Sequence, residues 1–276
     1  MTQETSLKIQ LAQISSQDGV TAPNLQKVLS IIAQAPDDTD LIVFPETCLM
    51  GFPSAEEVKQ VAETEDGPTL AAVKAAVKAK NISVALGFAE IDNGKFYNTT
   101  VLVSPEGIAL KYRKTHLWAT DVGVFEPGNQ MVTGLWKGLR VGILICFDIE
   151  FPETARALAM QGADLLIVTN GNMDPYGPVH RALITARAME NQVFAVMVNR
   201  CGTGCGLTFA GDSAVVNPFG EVLTALGREE EIRSFEIDLD DLQKSRADYR
   251  YTQLRRIPLT GELQSSEQGQ TAFVFS

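Results

Sequence analysis

Short, dense apolar runs recur along this chain, and most are separated by a stretch with helical apolar spacing. Leu7 to Ile14 reads as a buried strand and Asn24 to Gln34 as a helix. Leu41 to Phe44 reads as a second strand, stopped by Pro45. Strand, helix and strand in about 40 residues form a βαβ unit, which favours parallel pairing. Gly67-Pro68 then opens an Ala/Lys/Val-rich helix over Thr69 to Lys80, followed by a strand at Ile82 to Ala89. Phe96 to Val103 and Ile108 to Tyr112 flank Pro105-Glu106-Gly107, the mark of a hairpin. Leu139 to Ile145 is a Val/Ile/Leu run of the kind covered on both faces. Pro152 suits the first turn of a helix that Gly162 ends. Asp164 to Thr169, His180 to Asn191 and Val193 to Val198 read as strand, helix and strand. A last hairpin turn, Asn217-Pro218-Phe219-Gly220, lies between strands at Thr208 to Val216 and Glu221 to Leu226.

Such interleaving predicts an α/β fold with parallel strands and added antiparallel hairpins. Residues 1–245 read as one domain, without a linker, a repeat or a low-complexity stretch. Beyond it, Arg250 to Arg256 is basic and Gly261 to Gln270 is polar. Residues 246–276 read as a C-terminal arm of the same domain, packed on the body or on a partner subunit, or else as a mobile tail.

Composition narrows the function. The 276 residues are 45% hydrophobic and 21% charged, enough to bury a core and too apolar for a wholly disordered chain. A net charge of −11 with no Lys/Arg cluster argues against a nucleic-acid footprint and against an anionic membrane surface. Four cysteines without a Cys-x-x-Cys pair, beside two histidines, make a zinc site hard to assemble. Met1 to Lys8 lacks a signal peptide's apolar run, and the longest apolar stretches, 139–146 and 163–168, are too short to span a bilayer. A cytoplasmic, reducing setting with free thiols is expected.

No phosphate loop, His-Glu-x-x-His or Gly-x-Ser-x-Gly element is present. The glycine-rich segment 201–206 leads from strand to strand, so it offers no helix N-terminus to a phosphate and reads as a plain loop. Three other residues share one context. Glu46, Lys114 and Cys146 each stand at or just past the end of a strand, where sites collect in sheets of this kind. Taken singly, each has a plainer reading: a solvated carboxylate, a surface lysine and a small core residue.

The surrounding residues decide between these readings. Phe44-Pro45-Glu46, Tyr112-Arg113-Lys114-Thr115-His116-Leu117 and Ile145-Cys146-Phe147-Asp148-Ile149-Glu150-Phe151-Pro152-Glu153 strongly resemble the motifs of the nitrilase superfamily of carbon–nitrogen hydrolases. Gly162-Ala163-Asp164, the run Ala186 to Asn191 and Asn217-Pro218-Phe219-Gly220 add to the match, which covers residues 6–240. The resemblance implies a four-layer α-β-β-α sandwich with mixed sheets. A homodimer or higher homo-oligomer is implied too, with contacts around Pro152 to Met160 and Val179 to Asn191. It also implies a Glu46-Lys114-Cys146 site that needs neither metal nor organic cofactor. Glu46 would serve as general base to the Cys146 thiol, and Lys114, with the Phe147 N–H, would stabilise the oxyanion.

Many members carry a second glutamate four residues before the Phe of a Phe-x-Pro-Gly element. Here that element is Phe125-Glu126-Pro127-Gly128, and the position holds Asp121, one methylene shorter, with Glu126 as the other candidate. Phe147-Asp148 after the cysteine resembles amidase and carbamoyl-hydrolase branches, whereas nitrile-cleaving members usually have tryptophan. The expected reaction is therefore hydrolysis of a small linear carboxamide, ahead of an N-carbamoyl amine, a nitrile, or a non-catalytic binding role. Trp118, Phe147, Asn170 and Met173 are candidate substrate contacts. His116 and His180 are expected to be structural, and a Cys-His pair is the rival mechanism. Cys48, Cys201 and Cys205 read as packing or surface residues.

Overall fold

In the computed structural model, which describes residues 5–256, 260–266 and 269–274, the apolar runs become two mixed sheets laid face to face. The first half of the chain runs β1 (Ser6–Gln13), α1 (Ala22–Gln34), β2 (Leu41–Val43), the short α2 (Val58–Val61), α3 (Pro68–Lys80), β3 (Ser83–Asp92), β4 (Lys95–Ser104) and β5 (Gly107–Arg113). The second half runs β6 (Gln130–Trp136), β7 (Leu139–Ile145), α4 (Pro152–Met160), β8 (Leu165–Asn170), α5 (Gly177–Asn191) and β9 (Phe194–Asn199). There follow β10 (Cys201–Gly204), β11 (Leu207–Ala210), β12 (Ala214–Val216), β13 (Val222–Ala225) and β14 (Glu231–Asp238). Helices α6 (Asp240–Ser245) and α7 (Tyr251–Leu254) and strands β15 (Glu262–Ser265) and β16 (Thr271–Val274) complete the described chain.

One sheet has the order β14-β1-β2-β3-β4-β5 and the other β13-β12-β9-β8-β7-β6-β16-β15. Each has a parallel centre, β1-β2-β3 and β7-β8-β9, with antiparallel strands on the flanks. The central strands are buried on both faces. An alternation of buried and exposed residues is absent from β7 and β8, because β7 packs apolar side chains both toward the first sheet and toward α4. Leu11, Val43 and Leu110 of the first sheet share a core with Val141, Ile143 and Ile167 of the second. Helices α1 and α3 cover the outer face of the first sheet, and α4 and α5 pack against the second. The order of layers is thus α-β-β-α. Buried polar links cross between the sheets, among them Trp136 Nε1 donating to Ser83 Oγ at 2.9 Å and Thr100 Oγ1 2.7 Å from Thr169 Oγ1.

The sequence reading differs from the structure in particular places. The glycine-rich segment expected to be a plain loop forms the β10–β11 hairpin. The strand expected over Thr208 to Val216 is broken between β11 and β12, where Gly211 and Asp212 take φ of 62° and 60°. Strands β6 and β14 carry no dense apolar run and were not expected. Residues after 245 contribute β16, which pairs antiparallel with β6. Residues 1–4 of the polar N-terminus, 257–259, 275–276 and 267–268 of the polar stretch lie outside the described residues. Among the described residues, no helix is long and apolar enough to cross a membrane.

Candidate active site

Chain turns at the strands' carboxyl ends carry the polar residues inward. Glu46 is 1% exposed, Lys114 2% and Cys146 7%. Past β2, the Phe44 N–H donates to Ala85 O at 2.8 Å and the Glu46 N–H to Asn170 O at 3.3 Å. The Glu46 loop is therefore tied to both sheets. Two glycines give it room. A Cβ on Gly87 would stand 2.3 Å from Thr47 N, and one on Gly171 would stand 2.6 Å from Glu46 Oε2.

Lys114 follows β5 directly. Its N–H donates to Asn98 O at 2.9 Å, and its own carbonyl accepts from the Gly128 N–H at 2.8 Å. The Lys114 ammonium lies 2.7 Å from Glu46 Oε1 and 2.7 Å from Asp121 Oδ2. Asn98 Nδ2 donates to the same Glu46 oxygen at 2.8 Å. Glu46 Oε2 is left without a partner. A buried carboxylate oxygen with no donor costs free energy, so it marks a place for a proton or a substrate group.

Cys146 opens the 3-10 turn Cys146–Glu150 with φ of 46°, a left-handed conformation that a residue with a Cβ adopts only under constraint. Asp148 supplies that constraint. Its Oδ2 accepts from the Ile145 N–H at 3.1 Å and from the Tyr112 hydroxyl at 2.8 Å. Its Oδ1 accepts from the Thr115 hydroxyl at 2.8 Å and the His116 N–H at 2.9 Å, and lies 2.9 Å from His116 Nδ1. One carboxylate thus joins residues flanking Cys146 to residues flanking Lys114.

Burial sets the proton affinities. It raises the Glu46 carboxyl, and Asp121 adds to the rise while Lys114 and Asn98 oppose it. Burial also pushes the Cys146 thiol well up, and the Glu46 charge adds to this. Lys114 and a hydrogen bond from the Gly171 backbone act in the other direction. Burial alone would lower Lys114, but Glu46 and Asp121 outweigh it and hold the ammonium charged. The resting thiol is neutral, and the Lys114 ammonium stands between Glu46 and Asp121.

These groups line one cleft of ≈ 230 Å³. That is smaller than the roughly 300–1,000 Å³ of clefts for drug-sized ligands, so its occupant is small. Trp118, Phe147 and Met173 line the cleft as well. Asn170 does not. Its side chain is buried on the other side of β8, with Nδ2 3.3 Å from Met197 Sδ, and only its carbonyl serves the site. Asp121 is brought to Lys114, whereas Glu126 is exposed and outside the cleft. His116 stacks on Phe151 at 3.8 Å between ring centroids, away from the cleft. His180 lines it, 2% exposed, with Nε2 3.1 Å from Glu150 Oε1. Asn98, Asp148 and Glu150 were not singled out from sequence. A polar Asn-Thr-Thr in the middle of β4 is the one signal that pointed to Asn98.

Comparison with known proteins gives a consistent answer. A family model described as carbon-nitrogen hydrolase matches residues 8–247. An (R)-stereoselective amidase from a Pseudomonas species is 56% identical over 257 residues, covering 93% of this chain and 94% of that one. A Xanthomonas campestris CN-hydrolase superfamily protein, solved with an arsenic adduct in its active site, superposes with a TM-score of 0.87 at 25% identity. The match covers 94% of this chain and 100% of that one. A mutant amidase from Nesterenkonia sp., with the acetamide moiety of fluoroacetamide added covalently at the active-site cysteine, gives 0.78 at 25% identity over 93% and 95% of the chains. This chain belongs to the carbon–nitrogen hydrolase family of the nitrilase superfamily.

Proposed function

We propose that this chain is an amidase that hydrolyses a small linear carboxamide to a carboxylate and ammonia through a thioester on Cys146. The observation that carries the reading is the convergence of Glu46, Lys114 and Cys146 in one small buried cleft. The 56% identical relative is itself named an amidase.

An amide carbon is a poor electrophile, and a neutral thiol is a weak nucleophile. Glu46 removes the thiol proton as sulfur attacks, and its unpartnered Oε2 is the free acceptor for it. The substrate oxygen becomes an oxyanion, which the Lys114 ammonium and the Phe147 N–H stabilise. Glu46 returns the proton to the departing ammonia, takes one from the water that cleaves the thioester, and gives that one to the departing Cys146 sulfur. Asp121 keeps Lys114 charged and oriented throughout, since it accepts from Nζ alongside Glu46.

The arm 246–276 belongs to the same domain in this reading. The working form is a homodimer. Met160, Val179, Met189 and Leu254 are exposed on α4, α5 and α7, three helices that pack together. Sedimentation of dilute protein as a monomer would rule the dimer out. The four free cysteines suit a reducing cytoplasm.

The test is ammonia release from a panel of short amides, with N-carbamoyl amines and nitriles beside them and Cys146→Ala as the blank. Release from amides that vanishes in the variant is expected. Release from nitriles alone, or release that survives in Cys146→Ala, would overturn the reading.

A further inference from the structure

The cleft's charge is one-sided. Glu46, Glu57, Asp121 and Glu150 line it against a single ammonium, Lys114, which Glu46 and Asp121 already hold. Among the described residues, no arginine and no second lysine is in the lining. Arg187, whose Nη2 donates to the Glu150 backbone oxygen at 3.1 Å, pairs its guanidinium with Glu190 and is not in the lining. A carboxylate on the acyl group would meet like charge there, and the one cation of the lining is already paired.

Glu150 is the carboxylate best placed to meet the substrate's far end. It closes the 3-10 turn that Cys146 opens, four residues on, which at about 2 Å per residue is roughly 8 Å along the turn. Its side chain is 29% exposed, and its Oε1 faces His180 Nε2 at 3.1 Å. Burial and the Lys114 charge push His180 down to about 4, so at neutral pH this imidazole brings no positive charge to Glu150. Burial raises the Glu150 carboxyl as well, with no cation opposing the rise. In the same cleft lining, Trp118 packs edge-on against Phe147 at 5.1 Å and against Tyr176 at 5.6 Å. Ring faces next to a carboxylate that has no cationic partner attract an ammonium.

We infer that the cleft selects carboxamides whose acyl group carries an ammonium, which sits between Glu150 and the Trp118–Phe147–Tyr176 rings. This inference rests on the amidase reading and adds the charge of the acyl group to it.

Three amides of equal chain length test it: γ-aminobutanamide, pentanamide and glutaramate, which end in a cation, a methyl group and an anion. The expected order of kcat/KM is cation, neutral, anion, with the first step roughly tenfold, the scale of a solvent-touched ion pair plus a cation–π contact. Glu150→Gln brings the cation-to-neutral ratio close to one. Glu153→Gln removes the same charge at an exposed position outside the cleft and keeps the ratio. Equal or better turnover of pentanamide or glutaramate by the unaltered protein overturns the inference, as does a ratio that survives in Glu150→Gln. If the unaltered protein hydrolyses none of the three, the amidase reading falls. Calorimetric binding of the same compounds to Cys146→Ala then decides the charge preference separately, the same order supporting it and any other order overturning it.

Discussion

Lys114 Nζ lies 2.7 Å from Asp121 Oδ2, and the shorter acid reaches it because the backbone turns tightly there. The Asp121 N–H donates to Trp118 O at 2.8 Å, and the Trp118 N–H returns a bond to Asp121 Oδ2 at 3.0 Å. This local turn makes up for the missing methylene. Asp121→Asn removes one of the two charges that hold Lys114, and kcat/KM should fall about a hundredfold, within the range for weakened oxyanion stabilisation. The pH profile carries a second signature. Asp121 raises the Glu46 pKa, so its removal lets Glu46 ionise at lower pH. The acid limb of kcat/KM, expected above the ordinary carboxyl value of 4.5, should move down in the variant. A limb that stays in place would separate Asp121 from the base.

Glu46→Gln isolates the proton transfer. Glutamine keeps a carbonyl oxygen for the Lys114 and Asn98 donors, which lie at 2.7 and 2.8 Å from Oε1, but it cannot take a proton. Turnover should drop about a thousandfold, inside the usual range for losing a general base. The thermal midpoint should change little by comparison, because Lys114 retains Asp121. Ammonia release and a melting curve on the same preparation check both halves. Retained turnover would remove Glu46 from the reaction.

Much of this site was legible because the chemistry-bearing residues follow apolar runs. Glu46, Lys114 and Cys146 stand where β2, β5 and β7 end, and a strand end is visible in sequence. Asn98 and Asp148 were not, because what matters is a contact between residues 52 and 36 positions apart, to Glu46 and Tyr112. A sequence run shows burial; it does not show which buried polar group meets which. Asn170 shows the opposite error. It ends β8 as expected, but strand alternation turns its side chain away from the cleft and leaves Gly171 on the near side. Strand β14 was missed because it lies at a sheet edge and alternates exposed and half-buried residues, so it has no dense apolar run.

Asp148 should act through position. It gathers donors from Tyr112, Thr115, His116 and Ile145 and so fixes the Lys114 segment against the Cys146 turn. Asp148→Asn leaves several of these donors competing for one oxygen. Stability should fall by about 3 kcal/mol, as for a broken buried polar network. Tyr112→Phe removes one hydroxyl, which reaches both Asp148 Oδ2 and Thr115 Oγ1, and should cost about 1–2 kcal/mol. In the milder variant kcat should fall while KM holds, since the cleft lining is untouched. Urea denaturation and steady-state kinetics measure the pair. A Tyr112→Phe protein with unchanged kcat would confine Asp148 to the fold.

His180 makes the protein sensitive to acid. Burial and the Lys114 charge lower its pKa from 6.5 to about 4. The unfolded chain therefore takes up a proton at a higher pH than the folded one. The folded state holds its full advantage from this group above 6.5 and loses it as pH falls toward 4. The difference amounts to about 3 kcal/mol over that window. His180→Gln offers a side chain that never takes a proton. Measured by urea denaturation at pH 7 and at pH 4, its loss of stability between the two should be smaller than that of the unaltered protein by up to this amount. A change with pH equal to that of the unaltered protein would show that His180 is protonated as readily in the fold as outside it. The cleft would then carry a positive charge beside Glu150, and the preference for a cationic acyl group should weaken in step as pH is lowered.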